Sequence, residues 1–361
     1  MMRRLVKSGV AGGMRWTGAS LMRRRLGRRS REPWIVGYHR VVEDFERCAR
    51  SAIPATLISR TMLARHLDWI GRRFDIVPLD DVAAHRGRGG AARRPIAAVT
   101  FDDGYSDVYE LAFPLLRSKG IPAAVFVVTA LVGTTQVPLY DRLYMALTRA
   151  WDAWRAPAAD LARIVATLDV RIAGLDAPEP PPADALRALR LLLESLPQAD
   201  LERLAAALET RVGVDEDMLR ERRPLDWNML LEMQRAGMTI GSHSRTHPLL
   251  TLEKMSTIRR ETSGSKRELE ARLGAVVRHF AYPNGWFDAA TIQAVDEAGY
   301  LCAYTSCRHR DDARPLHTLP RTLLWQRSGL GLFGGFSPAV MGCQADGTFD
   351  PAARCPLNHW N

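Results

Sequence analysis

Ile96-Ala97-Ala98-Val99-Thr100-Phe101-Asp102-Asp103-Gly104 is a run of apolar and β-branched residues that ends in two adjacent acids and a glycine. A short apolar run closed by a chain breaker predicts a fully buried strand over 96–101. Both carboxylates then sit at the C-terminal mouth of that strand. Successive side chains leave a strand in opposite directions, so the two acids are set for different roles. Further apolar runs at 34–38, 123–128, 239–242, 279–283, 301–305 and 318–324 read as strands. Helix-like stretches at 106–118, 225–236, 253–273 and 289–298 lie between them. Alternating strands and helices imply parallel pairing. About seven such units predict an α/β fold, a distorted (β/α) barrel related to the TIM type, with its chemistry at the C-terminal ends of the strands. With 361 residues and 47% hydrophobic content the chain can bury a large core.

The two acids are answered downstream by His243 and His247 in Ser242-His243-Ser244-Arg245-Thr246-His247-Pro248. A spacing of four puts both rings on one face of a helical turn, Pro248 keeps that turn short, and residues 238–241 read as the strand delivering it. One carboxylate and two imidazoles make a three-ligand set for a divalent cation with a position left open for water. The neighbouring carboxylate is then free to act as a base. The constellation reads as a hydrolase.

These segments resemble the polysaccharide deacetylase family, carbohydrate esterases built on the NodB-type domain. Thr100-Phe101-Asp102-Asp103-Gly104 is similar to its first motif and His243-Ser244-Arg245-Thr246-His247 to its second. The resemblance spans roughly 34–324, with one large interruption. It implies the same barrel fold, Asp102 as catalytic base, and Asp103, His243 and His247 as ligands of a divalent metal. Zinc is expected, with cobalt, nickel or manganese as alternatives. The third motif departs from the usual Arg-x-Pro-Tyr-Gly: here it is Ala281-Tyr282-Pro283-Asn284-Gly285, which resembles the version in the exopolysaccharide and surface-glycan branch.

With no arginine in that motif, Arg321 in Leu319-Pro320-Arg321-Thr322-Leu323 is the candidate to pin Asp102, since a guanidinium can hold a carboxylate with two parallel hydrogen bonds. Tyr105, Pro283 and Asn284 are assigned to the substrate and oxyanion side, the Asn284 amide by similarity to the family. A departing amine needs a proton. His39, closing the apolar strand 34–38 as Tyr38-His39, resembles the acid of the exopolysaccharide branch; His317 in Leu316-His317 is the fallback. The expected reaction removes the N-acetyl group from a sugar of a polysaccharide or lipid-linked glycan by attack of metal-activated water. The alternatives are hydrolysis of another carbon–nitrogen amide, such as a formyl sugar or cyclic imide, and a non-catalytic glycan-binding module on the same barrel.

Around this NodB-type domain, taken as 32–361, the sequence adds three segments. Between about 137 and 223, two Ala/Leu/Arg-rich stretches with helical spacing, 139–155 and 185–208, flank a proline cluster and predict a helical insertion. Packing on the side of the barrel is the favoured placement, with covering of the cleft as the alternative. Trp151, Trp154 and Trp286 are candidates for stacking on sugar rings, against the commoner core role of tryptophan. Residues 326–361 read as an irregular tail.

Residues 1–31 hold ten Lys/Arg and no acid, which leaves 40 basic against 40 acidic residues elsewhere, so the net charge of +10 belongs to this arm. Apolar residues interspersed with the arginines predict a basic amphipathic helix on anionic lipid, and no nucleic-acid motif is present. No segment is a convincing secretory signal or a membrane span. The expected location is the cytoplasm, with peripheral contact at the inner membrane face. Five irregularly spaced cysteines give no disulfide framework, and the spacing of Cys343, Cys355 and His359 matches no standard zinc pattern.

Overall fold

The computed structural model of the protein describes residues 32–87, 94–170, 172, 182–213, 219–307 and 309–349. The basic arm, Cys355 and His359 lie outside them. Four strands precede the acid pair and a fifth carries it: β1 (Trp34–Tyr38), β2 (Arg40–Val42), β3 (Leu57–Ser59) and β4 (Asp75–Ile76) come first, then β5 (Ile96–Phe101). They are followed by β6 (Ala123–Val127), β7 (Thr239–Ser242), β8 (His279–Ala281), β9 (Cys302–Thr305) and β10 (Leu319–Leu323). Seven of these close a ring in the order β1-β10-β9-β8-β7-β6-β5, with β5 pairing back to β1. Every pairing around it is parallel. The fold is the distorted (β/α) barrel that the strand pattern predicts. β4 adds beside the start of β5, while β2 and β3 form a separate parallel pair.

Period-two alternation decides what faces the inside of the ring. Ile35, Ala98, Ala124, Phe126, Ala281, Cys302, Tyr304 and Leu319 gather in one cluster within the barrel. Their outward neighbours, among them Val36, Val99, Val125, Ile240, Phe280 and Ala303, meet the surrounding helices in a second and larger cluster. These strands are buried on both faces, as parallel sheets require.

The expected helices form at Phe113–Lys119, Trp227–Arg235, Met255–Leu273 and Ala289–Glu297. The first is preceded by a π-helical turn over Val108–Ala112. Strands β2, β3 and β4 and the helices Arg60–Gly71 and Leu79–Gly87 form in addition to the elements read from the sequence; on the first of these helices Leu63, His66, Leu67 and Ile70 recur at helical spacing and are buried. The segment expected as a strand over 279–283 stops at Ala281, because Tyr282 leads into the 3-10 turn Pro283–Gly285.

Between β6 and β7 lie four helices, Leu139–Ala153, Pro157–Thr167, Ala185–Ser195 and Gln198–Val212. The stretch expected as one helix over 185–208 is two, since Pro197 carries no amide hydrogen and breaks the ladder. Leu143, Leu147, Leu161, Leu192, Leu204 and Leu208 are fully buried in a core of the insertion's own. Burying each such side chain contributes ~1.5–3 kcal/mol. Trp151 and Trp154 pack against it, so neither reaches the barrel mouth.

The tail is not irregular throughout. Pro338–Ala345 is a helix with Ser337 as its cap, and Gln344 Nε2 donates to the Ser328 carbonyl at 2.9 Å. Among the described residues no helix is long and apolar enough to cross a membrane.

Gly241 occupies an inward position of β7. A Cβ there would lie 2.6 Å from the Phe126 ring and 3.0 Å from the His279 carbonyl oxygen, both inside a filled barrel. Gly241→Ala is expected to cost about 1–3 kcal/mol by overpacking, measured as a lower midpoint in urea unfolding.

Candidate active site

The inward alternation of β5 runs from Ala98 through Thr100 to Asp102, so Asp102 reaches the barrel mouth simply by continuing the strand. Asp103 would point outward on the same rule. It enters the cleft because its backbone turns left-handed, at φ 71°, and Gly104 follows at φ 74°. Gly104 is required here, since a Cβ would also press on the Val127 side chain at 2.9 Å. Strand alternation alone would separate the two acids; a turn that non-glycine residues rarely adopt brings both to the cleft.

Arg321 on β10 meets Asp102 as a fork: Nη1 donates to Oδ1 at 2.7 Å and Nη2 to Oδ2 at 2.8 Å, with both side chains buried. Nη1 also donates to Thr100 Oγ1 at 3.1 Å, and the Thr100 hydroxyl donates to the Val36 carbonyl at 2.9 Å. Burial alone would raise the Asp102 carboxyl. The Arg321 guanidinium, with smaller contributions from His243 and His39, more than reverses this and holds it at about 2. His39, between β1 and β2, is partly exposed and places Nε2 3.9 Å from Asp102 Oδ2.

His243 continues the inward alternation of β7 beyond Gly241. Its Nδ1 lies 2.7 Å from the Ala281 carbonyl. Donation from Nδ1–H to that acceptor leaves the Nε2 lone pair turned to the cleft. The two histidines are not on a helical turn. Residues 243–249 form a loop in which Ser244 and His247 are both left-handed, at φ 66°, and this brings the rings to a centroid distance of 4.8 Å.

Glu261, buried on the Met255–Leu273 helix, shapes this loop. It accepts from the amides of Arg245 at 2.8 Å and Thr246 at 2.7 Å. Burial, then the neighbouring His243, push the His247 imidazole down to about 4, so it is a neutral donor at physiological pH.

Asp103 Oδ1 lies 3.4 Å from Nε2 of both His243 and His247. It is buried and accepts no hydrogen bond. The three ligand atoms lie within 4.8 Å of one another, and no other such group of His, Cys, Asp or Glu occurs among the described residues. A buried carboxylate oxygen left without a donor, faced by two imidazole nitrogens, fits a divalent cation.

The cleft at this mouth has a volume of ≈ 120 Å³, and its wall includes His39, Asp102, Asp103, His243, His247, Asn284 and Arg321. Asn284 is exposed at φ 55°. The turn behind it depends on Gly285, where a Cβ would strike Ser306. Pro283 is buried within the turn and does not line the cleft. Tyr105 does not line it either: its ring is buried behind Asp103, and its hydroxyl meets Tyr140 and donates to Asp141 at 2.7 Å. A direct substrate role for Tyr105 is therefore excluded by its placement.

His317 sits before β10, at the opposite end of the barrel, with Nε2 3.0 Å from the Tyr300 carbonyl. It cannot serve as the acid. Trp286 is likewise absent from the cleft wall.

The insertion does reach the site, contrary to the favoured side-on placement. Tyr140 and Leu193 line the cleft, and Tyr140 donates to Asp103 Oδ2 at 2.8 Å. Gln198 Nε2 donates to the Thr246 carbonyl at 3.1 Å. Nothing in the sequence marks Tyr140, Glu261 or Gln198, each an ordinary residue of a helix.

The polysaccharide deacetylase family profile matches residues 89–167 and 192–303, which carry both the acid pair and the histidine pair. The chain belongs to the polysaccharide deacetylase family. It is accordingly a hydrolase of N-acetyl amide bonds. Similar solved structures include the deacetylase PplD of Streptococcus pyogenes in complex with acetate, at 16% identity and a TM-score of 0.53, covering 86% of this chain and 96% of that one. IcaB from Ammonifex degensii is 18% identical with a TM-score of 0.52, covering 87% and 97%. The Bacillus cereus polysaccharide deacetylase BC0361 is 13% identical with a TM-score of 0.51, covering 87% and 69%. At these identities the likeness is one of fold. No curated protein matches the sequence.

Arg321→Gln would leave Asp102 buried and unpaired, at an expected cost of about 3–5 kcal/mol at neutral pH. In the wild type the folded carboxyl lies below its ordinary value, so its contribution is present above that value and lost as pH falls through about 2. In the variant the carboxyl titrates higher. The stability gap between the two should therefore narrow on acidification, as read by urea unfolding across a pH series.

Proposed function

We propose that the protein is a divalent-cation-dependent deacetylase of an N-acetylated sugar in a polysaccharide or lipid-linked glycan. One observation carries the reading: in a single cleft, a buried Asp103 oxygen without a donor faces two imidazole nitrogens, beside a second carboxylate clamped by arginine.

Asp103, His243 and His247 would hold the cation, with zinc the expected metal for a carboxylate and two histidines. When bound, a divalent cation polarises the acyl carbonyl and lowers the pKa of water. Asp102, kept ionised by Arg321, takes the proton of the attacking water. Arg321 fixes the orientation of both Asp102 oxygens, so the acceptor stays aimed as charge develops. His39 stands beside Asp102 at the open side of the cleft and delivers a proton to the departing nitrogen. Asn284 brings its backbone to the cleft from the β8 turn, where an amide would stabilise the developing oxyanion. The products are acetate and an amino sugar.

A lipid-linked substrate is favoured by the apolar residues Ile53, Leu193 and Leu323 at the cleft wall and by the ten basic residues of 1–31. That arm would hold the enzyme at the cytoplasmic face of an anionic membrane, close to such a substrate.

The test is acetate release from a panel of N-acetylated glycans and lipid-linked sugars, with metal content measured in parallel. Asp102→Asn should retain the metal and lose about 10²- to 10⁴-fold in turnover. His39→Ala should retain the metal and lose turnover over a similar range, about 10²- to 10⁴-fold. A fully active His39→Ala would remove it as the acid. Metal-loaded protein that releases no acetate from any of the panel would point to another carbon–nitrogen amide.

A further inference from the structure

The two oxygens of Asp103 are not equivalent. Oδ2 accepts from the Tyr140 hydroxyl at 2.8 Å, while Oδ1 accepts nothing and lies 3.4 Å from each histidine nitrogen. A carboxylate turning freely about its terminal torsion would offer either oxygen to the histidines. The Tyr140 bond removes that freedom. The same ring packs on His247, with centroids 5.2 Å apart, so one side chain of the insertion touches two of the three residues facing one another here.

Tyr140 is itself held from behind. Its hydroxyl oxygen lies against that of Tyr105, which donates to Asp141 Oδ2 at 2.7 Å; with each hydroxyl hydrogen given to a carboxylate, the Tyr105 contact backs Tyr140 by packing. The Arg40 guanidinium lies over the Tyr105 ring, 5.1 Å from its centroid, and Arg40 Nε donates to Asp107 Oδ2 at 2.8 Å. Tyr140, Tyr105, Asp141 and Arg40 are buried and Asp107 partly so, and the contacts run from the first turn of the Leu139–Ala153 helix to β2 and the segment after β5. On the far side of the histidine loop the insertion makes a second attachment, through Gln198 to Thr246.

We propose that the insertion is a structural part of the cation centre, with Tyr140 as a positioning residue that commits Asp103 Oδ1 to the two histidines and so sets the affinity for the divalent cation. Groups that orient a metal ligand in this way typically account for about 10- to 100-fold in affinity. The proposal rests on the cation-binding reading of Asp103, His243 and His247.

The full chain, Tyr140→Phe and Asp103→Ala are each stripped of metal, melted, and titrated with zinc against a competing chelator. Tyr140→Phe should melt with the wild type and bind zinc about 10- to 100-fold more weakly, while Asp103→Ala should show no tight binding. Wild-type affinity in Tyr140→Phe, with binding lost in Asp103→Ala, overturns the positioning role and leaves the cation site standing. No zinc binding by the wild type, or equal binding by Asp103→Ala, overturns both. If metal-free Tyr140→Phe melts early, the visible absorption of the fully cobalt-loaded proteins decides. A band shifted from the wild type supports the positioning role, and an unchanged band reduces Tyr140 to packing.

Discussion

The buried fork between Arg321 and Asp102 is the constraint around which the mouth of the barrel is arranged. Two charges removed from water are tolerated only when their hydrogen bonds are met in good geometry. Here the two terminal guanidinium nitrogens find carboxylate oxygens and Thr100 on the same inward face takes a further bond, while Nε is buried without a partner. That geometry needs β10 and β5 on either side of β1, with Gly37 between Thr100 and Leu323 in the pairing register. A Cβ at Gly37 would lie 2.6 Å from Leu323 and 3.7 Å from Arg321 Nη1. Ring closure and charge pairing therefore depend on each other: the barrel brings first and last strands to β5, and the ion pair crosses the point of closure.

The second half of the site is held by a different device. His243 arrives on the inward face of β7, yet His247 belongs to a loop with no ladder of its own. Such a loop satisfies its backbone through side chains or leaves polar groups stranded. Glu261 receives two of its amides, Gln198 holds a carbonyl, and the Ser244 hydroxyl accepts from the His247 amide at 3.0 Å. A helix of the barrel and a helix of the insertion thus grip the loop from two sides. The insertion is part of the cleft for this reason.

What could be read from the sequence follows from where each residue's signal lies. Asp102, Asp103, His243 and His247 stand at the ends of short apolar runs, and that patterning places them at one mouth of one barrel. Arg321 was reachable by elimination, since the third motif carries alanine where an arginine is usual and a buried carboxylate needs a cation. His317 was the fallback acid on a dipeptide match alone, and the strand read over 318–324 already sets it at the end of β10 away from the cleft. The spacing of His243 and His247 suggested a helical turn, and only backbone geometry reveals a left-handed loop. Tyr140 sits at the start of an amphipathic helix, where its contact with Asp103 depends on how the insertion's core docks on the barrel. No local pattern encodes that.

Backbone strain is concentrated at the site. Of the five described non-glycine residues with positive φ, four are Asp103, Ser244, His247 and Asn284, all in the turns that form the cleft; Asp169 is the fifth. Each such conformation costs on the order of 1–3 kcal/mol and persists only where the surroundings over-determine it. The surroundings here are identifiable: Tyr140 on Asp103, Glu261 and Ser244 on the histidine loop, and Ser306 donating to the Asn284 carbonyl at 3.1 Å. The cost of aiming ligands, base and turn amide is thus met during folding by bonds one step removed from the chemistry. The reacting groups have little left to reorganise when substrate arrives.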